Sequence, residues 1–284
     1  MRRIALATSE DFPCLTHDDQ ALLQPLADRG IDAEPAVWSD PAYDWASCDM
    51  VVIRSCWDYH LRINEFLSWI KSLEMRNVPV WNRPATIRWN ADKSYLRELE
   101  AKGISIVPTL WYEPGPAISL AEELRKACWE QAVIKPRISA TAHRTKLIKA
   151  DHAKEAQSLF DDLRSSPGVM VQKFMDAIVS QGEWSLMFFA GEFSHAVLKT
   201  PKSGDFRVQH DFGGKERIAQ PPAFVLQAAT EAVNSVGETL YARVDGVVDG
   251  TNFCLMELEL IEPALFLRES PCAAEKLADV IASR

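Results

Sequence analysis

Apolar residues come in short blocks through residues 1–90, and the stretches between them are amphipathic. The pattern predicts a strand over 3–8, a helix over 18–29, strands over 33–37 and 50–53, and a helix over 61–75. Helices alternating with short apolar strands mark a parallel sheet with crossover connections. After Met50-Val51-Val52-Ile53 the chain turns polar and aromatic, as Arg54-Ser55-Cys56-Trp57-Asp58-Tyr59-His60. Open sheets place their ligands at the carboxyl ends of strands, so Arg54, Ser55 and Trp57 are candidate substrate contacts. The competing reading is that Trp57 and Tyr59 only anchor the next helix.

A second unit opens at Arg83-Pro84, with a helix through Tyr95, Leu96, Leu99 and Glu100 that Gly103 ends, then a strand-like run over 104–108. A helix over 119–128 leads to a strand over 132–137 that closes on Lys135-Pro136-Arg137, and a charged helix over 151–165 leads through Pro167-Gly168 to a buried strand over 169–174. Residues 182–189 and 192–198 read as a hairpin turning at Ala190-Gly191. A polar, glycine-bearing loop over 201–214 carries Arg207 as its anion contact. The helix over 222–240 has a core-facing stripe from Val225 to Val236.

The last hairpin, 240–248 with 253–261 around Asp249-Gly250, holds the densest chemistry. Met256, Leu258 and Leu260 alternate with Glu257 and Glu259, a period of two that puts the carboxylates on the face opposite the core. Same-face carboxylates two residues apart stand about 7 Å from each other. They repel unless a cation relieves them, and oxygen ligands of this kind suit Mg²⁺. The strand alone is equally a solvated acidic face. The hairpin brings Asp245 opposite or nearly opposite Glu257, but a slip of one residue would turn Asp245 to the other face.

Composition narrows the classes. With 284 residues, 47% of them hydrophobic and 25% charged, the chain can bury a full core and divide into two or three lobes. No apolar run approaches the ~20 residues of a membrane span, and the apolar run after Arg2-Arg3 is too short for a signal-peptide core. A net charge of -9 and the lack of a basic stripe argue against a sequence-independent grip on nucleic acid. Six scattered cysteines without CxxC spacing indicate neither zinc nor disulfides, so reduced thiols in a cytoplasm are expected. His60 and His195 have no partner at ligand spacing. Trp38, Trp45 and Trp184 lie inside apolar patterns and read as packing.

Two edge lysines, a polar strand-to-loop hinge, an arginine loop and an acidic strand follow in that order over roughly residues 93–263. This ordered set resembles the ATP-grasp superfamily of ligases. It is most similar to the glutathione synthetase and ribosomal-protein glutamate ligase branch, whose GDFR-type loop, R-x-D strand and E-[IL]-N strand have counterparts in Gly204-Asp205-Phe206-Arg207, Arg243-Val244-Asp245 and Glu257-Leu258-Glu259. The resemblance implies an ATP-grasp fold of the α/β (α+β) class: an N-terminal open parallel lobe (1–90), a small subdomain (91–175) and a C-terminal subdomain with the metal site (176–284), the last two sandwiching ATP. It implies phosphate contacts from Lys93 and Lys135, an adenine-reading hinge at Gln172-Lys173-Phe174-Met175, and Glu183 on the ribose. Arg207 would face the γ-phosphate or acyl phosphate, with Lys199 as a second catalytic candidate. Asp245, Glu257 and Glu259 match the ligands of one or two Mg²⁺ ions, with Mn²⁺ as an alternative.

Two positions depart from the family pattern. Glu259 stands where Asn is usual, and the flap after Lys135 has no glycine, so hydroxyls of Ser139, Thr141 or Thr145, or Arg144, would contact phosphate instead. The implied function is ATP-dependent joining of a small carboxylate substrate to an amine, through an acyl phosphate and with ADP released. A narrower reading is ring closure within one substrate by an internal nucleophile, as in small ATP-grasp members of antibiotic pathways, including the cycloserine-forming one. A nucleotide-binding protein without turnover is the third reading. A monomer and a homodimer both remain open.

Overall fold

The computed structural model describes residues 1–165, 167–202 and 213–284. Strand β1 (Arg2–Thr8) turns Ile4 and Leu6 to one side and the small Ala5 and Ala7 to the other. It lies between β2 (Ile31–Val37) and β3 (Met50–Ser55), with β4 (Val80–Trp81) outside β3, in a parallel sheet of order β2-β1-β3-β4. The alanine face leaves room for an aromatic layer: Trp38, Trp45 and Trp69 pack there with Phe66 of the helix Ile63–Met75. Trp45 and Trp69 meet edge-on at 5.0 Å, a contact worth about 0.5–1.5 kcal/mol beyond its buried area. On the other face Ile4 and Leu6 join a core with Leu277 and Ile281 of the helix Ala273–Ala282.

The helix expected over 18–29 is two short ones, His17–Gln20 and Leu23–Asp28. Pro25 has no N–H to continue the first, and is tolerated in the first turn of the second. Residues 104–108 form a single bridge, Ile106 to Leu255, and the strand comes later, as β5 (Thr109–Tyr112). The helix expected over 222–240 is Ala223–Asn234; Gly237, at φ +81°, turns the chain toward the next strand.

β5 belongs to an antiparallel sheet of order β5-β8-β6-β7, with β6 (Gln131–Pro136), β7 (Lys146–Lys149) and β8 (Val169–Lys173). Ser119 caps the helix Leu120–Ala127 by accepting from the Glu122 N–H. This lobe has its own core around Phe160, Leu120 and Val171.

The third sheet has the order β11-β10-β9-β12-β13: β9 (Glu183–Phe189), β10 (Glu192–Thr200), β11 (Lys215–Ile218), β12 (Tyr241–Asp249) and β13 (Asn252–Glu259). The helix Tyr95–Ala101 packs against it through Leu96 and Leu99, together with the helix Ala223–Asn234. Burying each leucine is worth about 1.5–3 kcal/mol. Residues 95–101, expected within the small subdomain, thus contribute to the core of the third sheet.

Candidate active site

The registers of the third sheet bring seven polar side chains to one face. Lys199 is opposite Glu183, Asp245 lies between Ser185 and Glu257, and Arg243 pairs with Glu259. The register that the sequence left open therefore puts Asp245 directly across from Glu257. It is held there by a bulge: Asp245 pairs with Glu257 and Gly246 with Leu255, which makes Met256 the extra residue. Met256 accordingly leaves the Leu258 and Leu260 face and packs with Val107, Met175 and Val247. A Cβ on Gly246 would stand 2.6 Å from the Cys254 carbonyl oxygen, so only glycine fits at the bulge.

Every carboxylate on this platform has a cation or donor. Lys199 Nζ is 2.5 Å from Glu183 and 3.6 Å from Asp245. Arg243 donates to Asp245 at 2.8 Å and to Glu259 at 2.5 Å, and the Ser185 hydroxyl also donates to Asp245. Lys93 Nζ lies 3.1 Å from Glu257 and donates to the Ser139 carbonyl. Burial pushes the Asp245 carboxyl up, but Arg243 and Lys199 outweigh it and hold the acid below its usual range. At Glu183, which shares Lys199 but lacks Arg243 as a hydrogen-bonding partner, burial wins and the acid is raised. Burial, with Glu257 and Asp245 adding to it, pushes Glu259 up to about 7 against the pull of Arg243. Lys199 stays above its ordinary value because Asp245 and Glu183 overcome desolvation.

Lys135 comes from β6, across the cleft. It has no ion pair among the described residues, and burial lowers its pKa, with Glu257 and Glu183 opposing and Lys93 adding. Two lysines from different lobes thus converge on one acidic strand.

With this geometry established, comparison with known proteins is informative. A family model described as the N-terminal domain of D-cycloserine synthetase DcsG matches residues 4–82. Over 297 aligned residues the chain is 28% identical to the cycloserine biosynthesis protein DcsG of Streptomyces lavendulae, covering 99% of this chain and 98% of that one. The crystal structure of D-cycloserine synthetase DcsG superposes with a TM-score of 0.88 at 26% identity, over 99% of both chains. An ATP-grasp RimK domain protein from Sphaerobacter thermophilus gives 0.71 at 19% identity, again over 99% of both. The chain has an ATP-grasp fold.

In the ATP-grasp frame, Glu183, Lys199, Asp245, Glu257 and Glu259 share one face, with Lys93 and Lys135 reaching it from outside the sheet. Arg207 lies outside the described residues. At the hinge, the N–H groups of Lys173 and Phe174 are already donated to the carbonyls of Pro108 and Gln131, and the Gln172 side chain is buried near Thr109. Among the described residues no backbone carbonyl accepts from the Met175 N–H. Ser139 turns its hydroxyl back to the Pro136 carbonyl, and its own carbonyl receives Lys93. Ser139 thus positions Lys93 through its carbonyl, with its hydroxyl engaged by its own loop.

The glycine-free flap adopts left-handed conformations at Thr141, Ala142 and Arg144, with φ of +50°, +55° and +54°. Such strain, of order 1–2 kcal/mol per residue, persists only where surroundings enforce it. Here Arg144 pairs with Asp162, and the His143 ring lies 5.2 Å from that of His60 of the N-terminal lobe, tilted by 56°.

Two of the three candidate substrate residues are engaged inside the protein. Arg54 is fully buried, 2.8 Å from Asp19, and donates to the Pro263 carbonyl at 2.7 Å; Ser55 donates to Asp19 at 2.6 Å. Neither reaches solvent, because a buried guanidinium demands a paired carboxylate and Asp19 supplies it. Trp57 is half-buried and donates to the Glu262 carbonyl at 3.0 Å. Sequence reasoning also missed Glu262 itself, the third acid of the run Glu257-Leu258-Glu259-Leu260-Ile261-Glu262.

The donor set suits a magnesium ion: Asp245, Glu257 and Glu259 offer hard carboxylate oxygens. Among the described residues no three acidic, His or Cys side chains close around a single point. Arg243 occupies the space between Asp245 and Glu259, and Lys93 that beside Glu257.

Proposed function

We propose that the chain is an ATP-dependent carboxylate–amine ligase acting on a small amino-acid-like substrate. The observation that carries this is the convergence of Lys93 and Lys135 on the Asp245–Glu257–Glu259 platform. Both ammonium groups are compact charges suited to the triphosphate. Lys135, without an ion pair among the described residues, is free to take one phosphate oxygen, and Lys93 can pass from Glu257 to another. Asp245, Glu257 and Glu259 would hold Mg²⁺, whose chemistry when bound is to neutralise charge between phosphate oxygens. A substrate carboxylate oxygen then bonds to the γ-phosphorus as the bond to ADP breaks. The amine nitrogen next attacks the carbonyl carbon of the acyl phosphate, and phosphate leaves. Positioning and charge supply the catalysis, as phosphoryl transfer requires.

Ring closure within one substrate is the finer reading, and the near full-length likeness to the cycloserine proteins supports it. Substrates supplied singly and in pairs separate the two. ADP release with one substrate and no added amine indicates cyclisation, whereas strict dependence on a second, amine-bearing substrate indicates intermolecular ligation.

A further inference from the structure

Three consecutive carbonyls after β13 are each held by a side-chain donor. Tyr241 Oη donates to Ile261 O at 2.8 Å, Trp57 Nε1 to Glu262 O at 3.0 Å, and Arg54 to Pro263 O at 2.7 Å. This suspension fixes the Glu262 backbone in the seam between the acidic platform and the loop that follows β3. The side chain is only 7% exposed. Its carboxylate lies within electrostatic reach of Glu259, Lys93 and Glu257 on one side and of Cys56 and Tyr59 on the other.

No hydrogen-bond donor or ion-pair partner meets that carboxylate among the described residues. The nearby cations are committed elsewhere, Lys93 to Glu257 and the Ser139 carbonyl, Arg243 to Asp245 and Glu259. A buried, unpaired carboxylate is costly, and burial together with Glu259 holds this acid well above its usual range. Its seam is walled by Trp57, whose ring meets Phe12 edge-on at 5.0 Å. Aromatic faces of this kind favour cations.

We propose that Glu262 is the specificity residue that receives a protonated amine of the substrate, set by Trp57 and Arg54 beside the platform where the carboxylate is activated. The assignment rests on the ligase reading above. It places the substrate's two ends: carboxylate toward Lys199 and the metal-binding acids, ammonium toward the N-terminal loop.

The test measures ADP release by the full chain with Mg²⁺, ATP and a panel of short α-amino acids, each beside its des-amino counterpart. Glu262→Gln is isosteric and keeps the neutral side chain that burial favours before substrate arrives, so its melting temperature and its affinity for Mg·ADP should equal or exceed those of wild type. Its KM for the amino acid that turns over should rise about tenfold or more, the loss expected for a charged hydrogen bond. Trp57→Phe keeps an aromatic ring, though a smaller one, and removes the donor to the Glu262 carbonyl, and should raise the same KM by less. An unchanged KM in Glu262→Gln, or wild-type turnover of des-amino acids as efficient as that of amino acids, overturns the assignment of Glu262 alone. No ADP release by wild type with any member of the panel overturns the ligase reading beneath it.

Discussion

Replacing Arg54 by Met tests whether the loop after β3 is a structural tie or a substrate contact. The guanidinium is fully buried and holds both Asp19 and the Pro263 carbonyl. Removing it leaves Asp19 with only the Ser55 and Thr16 hydroxyls, and Pro263 O without its donor. Breaking a buried pair from one side costs about 3–5 kcal/mol, and an orphaned buried acceptor about 1–3 kcal/mol. At ~2–4 °C per kcal/mol for a chain approaching this size, Arg54→Met should melt roughly 10–20 °C below wild type. Asp19→Leu should cost a comparable amount. The double variant Asp19→Leu/Arg54→Met replaces the pair with apolar groups and should recover much of the loss. Thermal unfolding followed by circular dichroism on all four proteins completes the cycle. A single variant that melts within about 2 °C of wild type while its substrate KM rises tenfold or more would refute the structural role, and would make Arg54 a ligand after all.

Other perturbations separate the roles of the remaining charges. Glu257→Gln should lower ADP release about 100-fold, and a wild-type rate at saturating Mg²⁺ would remove Glu257 from the metal site. Lys135→Met should weaken nucleotide binding about tenfold without lowering the melting temperature, since no ion pair among the described residues is lost; Lys93→Met, which strips Glu257 of its partner, should lower both, and calorimetry with melts tells them apart. His195, buried with Nε2 2.9 Å from the Leu265 carbonyl oxygen, is lowered by burial to about 4. The unfolded imidazole takes up a proton near pH 6.5, so the unfolded state binds more protons between the two values. Stability is complete above about pH 6.5 and falls as pH drops toward 4, by about 3 kcal/mol. His195→Gln should flatten that part of the profile in urea titrations from pH 7 to 4, and an unchanged slope would show that other groups set it.

The apolar blocks of residues 1–90 were enough to read the parallel sheet, because strands buried on both faces are short continuous apolar runs set between amphipathic helices. The platform was legible for a different reason. Glu257, Glu259 and Asp245 sit on one hairpin, so a single turn at Asp249-Gly250 sets their pairing to within the bulge at Met256. What escaped depends on contacts distant in sequence. Nothing near Arg54 shows that Asp19 will neutralise it. β4, β7 and β11 are too short or too polar to stand out. The cations that lace the platform, Arg243 above all, resemble ordinary surface residues until the register aligns them with Glu259.

The shared core of β1 and the helix Ala273–Ala282 has a consequence for synthesis. Ile4 and Leu6 share their core with Leu22 and Leu26, made soon after them, and with Leu277 and Ile281, made more than 260 positions later. The middle lobe, with its separate core between Tyr112 and Val171, can close while translation continues. One face of the N-terminal sheet has to wait. For most of its time on the ribosome the nascent chain thus exposes a strip of aliphatic side chains that trigger factor-like holdases would bind, and a truncation before Ala273 should leave that strip permanently open.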